Sequence, residues 1–207
     1  MATKDAILNA AERLFANERF AAVSLRDITR EASVNLAAVN YHFGSKELLV
    51  LELFKLRSIE LNRERAQLLK AAEAAAGGTP PLRDVLFALV APPVRDWLSS
   101  DPAVSIKARF LVRAMIESTP EVRRLHETEV GHLQQFVTAL ARSMPELSHA
   151  DICLRLHFTL GVMHYAMNER KRLEMLSKGA WDYSNPEDVI AWIIDFTAPG
   201  FSTSPAS

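Results

Sequence analysis

The sequence predicts an all-α fold of about nine helices, and three observations predict it. Apolar residues recur at three- and four-residue spacing along most of the chain. Capping residues open these segments: Ser24, Asn35, Ser45, Asp101, Thr119, Ser148 and Asn185. No segment shows a strand signature. With 207 residues, 49% of them hydrophobic and 24% charged, the chain can bury a proper core in one large or two modest domains.

The first helix spans about Lys4 to Ala16, with Ile7, Ala11, Leu14 and Phe15 in helical period. Ser24 opens the second, with Asp27 three residues on in the capping-box position. Leu25, Ile28 and Ala32 give that helix one buried face. Asn35 caps the third, where Val39 and Phe43 form an apolar pair. Ser45 opens a long fourth helix through Leu48, Leu49, Leu51, Leu53, Phe54 and Leu56 to Leu61 and Leu68. Gly77-Gly78-Thr79-Pro80-Pro81 stops it. Leu82 to Val90 is helical, and Pro92-Pro93 is expected to break or kink it. Asp101-Pro102 starts a helix to about Glu117, and Thr119-Pro120 starts another to about Ser143. Ser148, with Asp151, opens a long helix to about Leu176, and 178–185 is a loop. Asn185-Pro186-Glu187-Asp188 caps the last helix, expected to end before Pro199. These elements suggest a domain over residues 1–56, a second over 57–200 and a disordered tail at 201–207, with the boundary inside the fourth helix.

Leu25 to Lys46 is the informative stretch. Two short helices meet at Ala32-Ser33-Val34-Asn35, and the second carries Leu36, Ala37, Asn40 and Tyr41 on a face distinct from its buried one. This is a helix-turn-helix whose second helix is free to enter a DNA major groove. Asn40 can bind adenine through two hydrogen bonds, whereas Leu36, Ala37 and Ala38 offer only apolar contact, to thymine methyls. Ser24, Arg26, Tyr41, His42 and Lys46 are the candidates for phosphate contacts. Charge does not announce DNA: the chain carries −1 overall, and residues 1–57 hold eight basic against seven acidic side chains.

The block VNLAAVNYHFGSKELL, and above all Asn40-Tyr41-His42-Phe43-Gly44-Ser45-Lys46, resembles the DNA-binding domain of the TetR family of bacterial transcriptional regulators. The resemblance covers about Ala6 to Leu53. It implies a homodimeric regulator of operator DNA controlled by a small-molecule effector, and backbone contacts at Tyr41, His42 and Lys46. The chain departs from the family's usual residues at Arg19 and Ser33, where glycine is usual, and at Thr29, where alanine is. Val34 to Lys46 together with Leu156-His157-Phe158-Thr159-Leu160-Gly161 looks most like a branch that senses fatty acids or acyl-CoA.

Two C-terminal helices are more apolar than a monomer surface allows. Val189, Ile190, Trp192, Ile193, Ile194 and Phe196 wrap the last helix, and Leu156, Leu160, Met163 and Met167 stripe the one before it. Leu156, Leu160, Met163, Met167, Val189, Trp192, Ile193 and Phe196 are therefore expected at a dimer interface. Candidate ligand-binding residues are Trp97, Arg109, Phe110, Arg113, Met115 and Phe136.

The rival classes are a helical enzyme and an interaction protein that does not bind DNA. His126 and His132 share no helical face, and His157 and His164 do but suit a core or interface. No phosphate-cradling glycine loop and no G-x-S-x-G occur. No cofactor and no metal are expected. The N-terminal residues carry no signal-peptide pattern, and the longest apolar run, between Arg155 and Glu169, is too short for a membrane span. The single Cys153 fits a reducing cytoplasm.

Overall fold

The computed structural model describes residues 2–117, 119–128 and 130–202. These contain eleven helices and no strand: α1 (Ala2–Asn17), α2 (Leu25–Ala32), α3 (Leu36–Phe43), α4 (Lys46–Ala75), α5 (Leu82–Leu98), α6 (Pro102–Ile116), α7 (Pro120–Thr128), α8 (Gly131–Ser143), α9 (His149–Asn168), α10 (Arg170–Ser177) and α11 (Pro186–Ser202). Two segments expected as single helices are each divided. One breaks before Gly131, the only local signal for it. The other breaks at Glu169, where Asn168-Glu169-Arg170-Lys171-Arg172 offers no apolar side chain and α10 buries none of its residues.

The described parts of 1–60 and 100–129 pack as one unit, and those of 61–99 and 130–207 as another, with α4 running through both. The first unit thus takes α6 and α7 as well as α1 to α3. Ile7, Phe15, Phe20, Ile28, Val39, Phe43, Leu49, Leu53, Phe110 and Val122 are all buried in its core. The Phe15 and Phe20 rings lie 4.8 Å apart, and Phe20 stacks on Phe110 at 6.0 Å. Phe110, expected from sequence to line a ligand pocket, is fully buried in this core. One buried ion pair crosses this core: Glu12 of α1 accepts from Arg57 of α4 at 2.5 and 2.9 Å, and Glu60 takes the other side of the guanidinium at 2.8 Å. Burial opposes the Arg57 charge, but these carboxylates outweigh it and hold its pKa above the ordinary arginine value.

In the second unit, α11 packs chiefly on α5 and α9. The expected break at Pro92-Pro93 does not occur: α5 runs through both prolines. Pro93 has no N–H for the carbonyl of Leu89, which a continuous helix would otherwise leave bare in the core. Arg65 of α4 supplies the missing donor, its Nε giving a buried bond to that carbonyl at 2.9 Å. Among the described residues no carboxylate pairs with its guanidinium, and burial lowers its pKa to about 10. The C-terminus also differs from expectation. α11 continues through Pro199, and Arg155 donates to the Gly200 carbonyl at 2.7 Å. Phe201 is buried and Ser202 helical, so the expected tail does not begin at 201; residues 203–207 lie outside the described residues.

Arg65→Met should lower stability by about 1–3 kcal/mol in urea unfolding, because the Leu89 carbonyl becomes a buried acceptor without a donor. Pro93→Ala in the same background should recover part of that loss by restoring the helical N–H.

Candidate nucleic-acid interface

The interface is built from two eight-residue helices, each started by its own sequence. At α2, the Ser24 hydroxyl accepts the Asp27 N–H at 3.2 Å, while the Asp27 carboxylate accepts the Ser24 N–H at 3.0 Å and its O–H at 2.6 Å. Asp27 thus replaces the usual glutamate of a capping box. Its carboxyl lies below the ordinary aspartate range, chiefly through the Ser24 hydroxyl, then the Ser24 N–H and Arg30. The folded pKa is lowered, so this contribution is present above the ordinary aspartate pKa and lost only as pH falls through the folded one. Ser24 spends its hydroxyl proton inside the cap. The outward groups at this helix start are the Leu25 and Arg26 N–H groups and the exposed Arg26 side chain.

The turn is made by Ser33 at φ 53°, ψ 42°, a left-handed conformation that favours glycine. The Val34 N–H bonds to the Thr29 carbonyl at 3.0 Å and closes the helix end. Thr29 is itself buried, and its hydroxyl donates to the Arg26 carbonyl at 2.9 Å. Asn35 then caps α3, its Oδ1 accepting the Ala38 N–H at 2.8 Å.

Val39 and Phe43 bury one face of α3, and Leu36, Ala37, Asn40 and Tyr41 are exposed on the other. Tyr41 is 86% exposed, so it does not pack beneath α1. His42 is half-buried, edge-on to the Tyr41 ring at 5.2 Å. Ala38 is half-buried against the head core, and its methyl does not join the free face with Leu36 and Ala37. Gly44, at φ 77°, ends the helix where other residues would be strained.

Lys46 has a task that the sequence did not indicate. Its Nζ donates to the carbonyls of Phe20 at 2.8 Å and Val23 at 3.1 Å, leaving one of three N–H donors for a phosphate. Other head cations are also engaged: Lys4 with Glu52, Arg13 with Glu31, Arg30 with Asp27 and Arg57 with Glu12. Of the eight basic side chains in residues 1–57, only Arg19, Arg26 and Lys55 stand outside these pairings.

Residues 7–53 match the family described as bacterial regulatory proteins, tetR family, and residues 88–200 match the tetracyclin repressor-like C-terminal domain. The chain belongs to the TetR family. A candidate transcriptional regulator of Pseudomonas aeruginosa has a similar structure, with a TM-score of 0.67 at 17% identity, over 96% of this chain and 92% of its own. NalD, the secondary repressor of the MexAB-OprM multidrug efflux pump of that organism, gives 0.62 at 23% identity over 96% and 94%. A candidate TetR-family regulator from Shewanella sp. PV-4 gives 0.62 at 22% identity over 96% and 95%. Identities this low show the fold alone. Comparison with curated protein sequences returns no match.

Of the three departures from usual TetR-family residues, Ser33 keeps the glycine conformation. Arg19 does not: it has no positive φ, and the chain turns there through an Ala22 N–H to Arg19 carbonyl bond of 2.9 Å. The residues expected to bind an effector are divided between the two units. Trp97 is half-buried and Phe136 buried in the second. In the first, Met115 packs against the same core as Phe110, Arg113 pairs with Glu117 at 3.2 Å, and Arg109 is half-buried. Among the residues expected at a dimer interface, Leu156, Met163, Met167, Val189 and Ile193 are buried within the chain's own core. Leu160 and Trp192 are half-buried, with Trp181 edge-on to Trp192 at 5.0 Å, and Phe196 alone of the eight is exposed. The outward stripe of α9 consists instead of Leu154, Phe158 and Tyr165, at i, i+4 and i+11. Their spacing was visible in the sequence, but both stripes of an all-apolar helix have it. Among the described residues, no three His, Cys, Asp or Glu side chains group as a metal site, and no helix is long and apolar enough to cross a membrane.

Ser33→Gly should raise the unfolding free energy by about 1 kcal/mol, since glycine adopts φ 53° without the Cβ clash. The increase is read as a higher urea midpoint at unchanged slope.

Proposed function

We propose that this TetR-family chain is a homodimeric repressor that binds operator DNA through α3 and is released from it by a small molecule. The observation that carries the reading is the exposed Leu36, Ala37, Asn40 and Tyr41 face on a helix whose other face is buried. Asn40 is the base reader and discriminates adenine, Leu36 and Ala37 meet thymine methyls, and the α2 N-terminus, Arg26 and Tyr41 position the phosphates. His42 and the remaining donor of Lys46 add to the backbone contacts. NalD, with the same fold, is a repressor, which supports that sign of regulation here.

One adenine contact cannot specify an operator, so the reading needs two copies of α3 about 34–36 Å apart on one face of DNA. Leu154, Phe158 and Tyr165 of α9 with Phe196 of α11 form the face we assign to the second subunit; all four are more than half exposed in the single chain. An effector held by the C-terminal domain favours another spacing, and by linkage DNA weakens the effector's binding by the same factor. Of the short stretch that resembles the acyl-sensing branch, Phe158 lies on the face assigned to the second subunit, and His157 and Gly161 are exposed, so the stretch lends no support to a lipid effector. Operator binding places the protein in the cytoplasm.

The test is fluorescence anisotropy on the tightest duplex that the wild-type protein selects from a random double-stranded library. Asn40→Ala should reduce affinity for that duplex by about 1–3 kcal/mol and leave random DNA almost unaffected. Arg26→Ala should weaken both and lower the salt slope by about one. Equal losses from both variants on all duplexes would remove Asn40 from the role of base reader. A small-molecule panel, fatty acids and acyl-CoAs included, then identifies the compound that releases the protein.

Phe158→Asp and Phe196→Asp should each yield folded monomers in light scattering at concentrations where the wild type is dimeric. Dimers that persist in both variants would exclude this face as the interface.

A further inference from the structure

We infer that Glu117, at the end of α6, is a positioning residue for operator binding, acting on the α1–α2 loop through the backbone of Phe20. This rests on the proposed operator contact at the start of α2. The loop must deliver Ser24, and with it the phosphate-facing N–H groups of Leu25 and Arg26, at one fixed place. Three contacts converge on Phe20 to do so. Its ring is buried against Phe15 and Phe110. Its N–H donates to Glu117 Oε2 at 2.8 Å, across 97 residues of sequence. Its carbonyl accepts from Lys46 Nζ at 2.8 Å, and the same ammonium takes the carbonyl of Val23, the residue before Ser24. The two peptide groups flanking Phe20 are thus held by a carboxylate on one and an ammonium on the other. Each charge faces the pole of the peptide that suits it.

Glu117 is poorly placed for α6 itself. A carboxylate at a helix C-terminus meets the negative end of the macrodipole, where a cation is favoured. The Arg113 guanidinium at 3.2 Å offsets that penalty and leaves the second carboxylate oxygen for Phe20. A residue that works against its own helix while holding a loop 97 positions away serves the loop. Lys46 is the matching case in the recognition segment, since most of its donor capacity goes to this loop. The turn lacks the left-handed helix end that a glycine at position 19 would allow, and these two side chains replace it.

Glu117→Ala should weaken binding of the full-length protein to its selected duplex by about tenfold, as expected for a lost charge-assisted bond and a bare N–H. Binding to random DNA should change less than about twofold, because phosphate attraction does not need the loop in one place. Exchange of the Phe20 amide proton should accelerate in the same variant. Glu117→Gln, which keeps an acceptor for that N–H but not the charge pair with Arg113, should restore duplex affinity. Should Glu117→Ala not fold, Glu117→Asp retains the carboxylate one methylene too short to reach, and the same outcomes apply. Wild-type duplex affinity despite accelerated Phe20 exchange would overturn the inference, as would unchanged exchange. Failure of the wild type to select any duplex would instead sink the operator-binding reading, whatever the exchange shows.

Discussion

The cluster of Phe15, Phe20 and Phe110 is the contact from which the first unit takes its geometry. α2 and α3 are each eight residues long, too short to be helical alone, and so their placement must come from what they pack on. Ile28 of α2 and Val39 and Phe43 of α3 reach into the same core as the three rings. The cluster also draws α6 into this unit, although Phe110 lies 90 residues beyond Phe20 in the chain. The ends of the recognition segment are therefore set by non-local burial, and only its caps are local.

The free face of α3 is chemically sparse. With one amide and no guanidinium, it can discriminate adenine and thymine but has no strong guanine reader. A regulator of this kind depends on repetition across a two-fold axis and on the shape and deformability of its site. On the proposed reading, A·T pairs in each half-site fit these side chains, which would meet adenine and thymine edges in the major groove.

The helix starts were legible because caps are local: Ser24 with Asp27, Asn35, Ser45, Asp101 and Ser148 each bond within three residues. The recognition face was legible for the same reason, since buried Val39 and Phe43 fix where Asn40 must point. What could not be read depended on distant partners. Pro92 and Pro93 look like a helix break until Arg65, 24 residues before Leu89, supplies the absent donor. Phe110 packs on Phe15 and Phe20, both about 90 residues earlier, and local periodicity does not show those neighbours. α9 is apolar on more than one side, so nothing in the sequence distinguishes the stripe through Leu156, which faces inward, from the stripe through Phe158, which faces out. Lys46 reads as a phosphate ligand from its motif alone, and only the fold shows the loop carbonyls within its reach.

The internal pairing of the head's cations has a consequence for occupancy. Non-specific affinity for DNA comes from counterions released by unpaired lysines and arginines, and here few of these side chains are unengaged. On the proposed operator-binding reading, the chromosome would sequester fewer copies than for a domain whose cations all stand free, and occupancy of the operator would follow changes in the cell's pool with less buffering from non-specific sites.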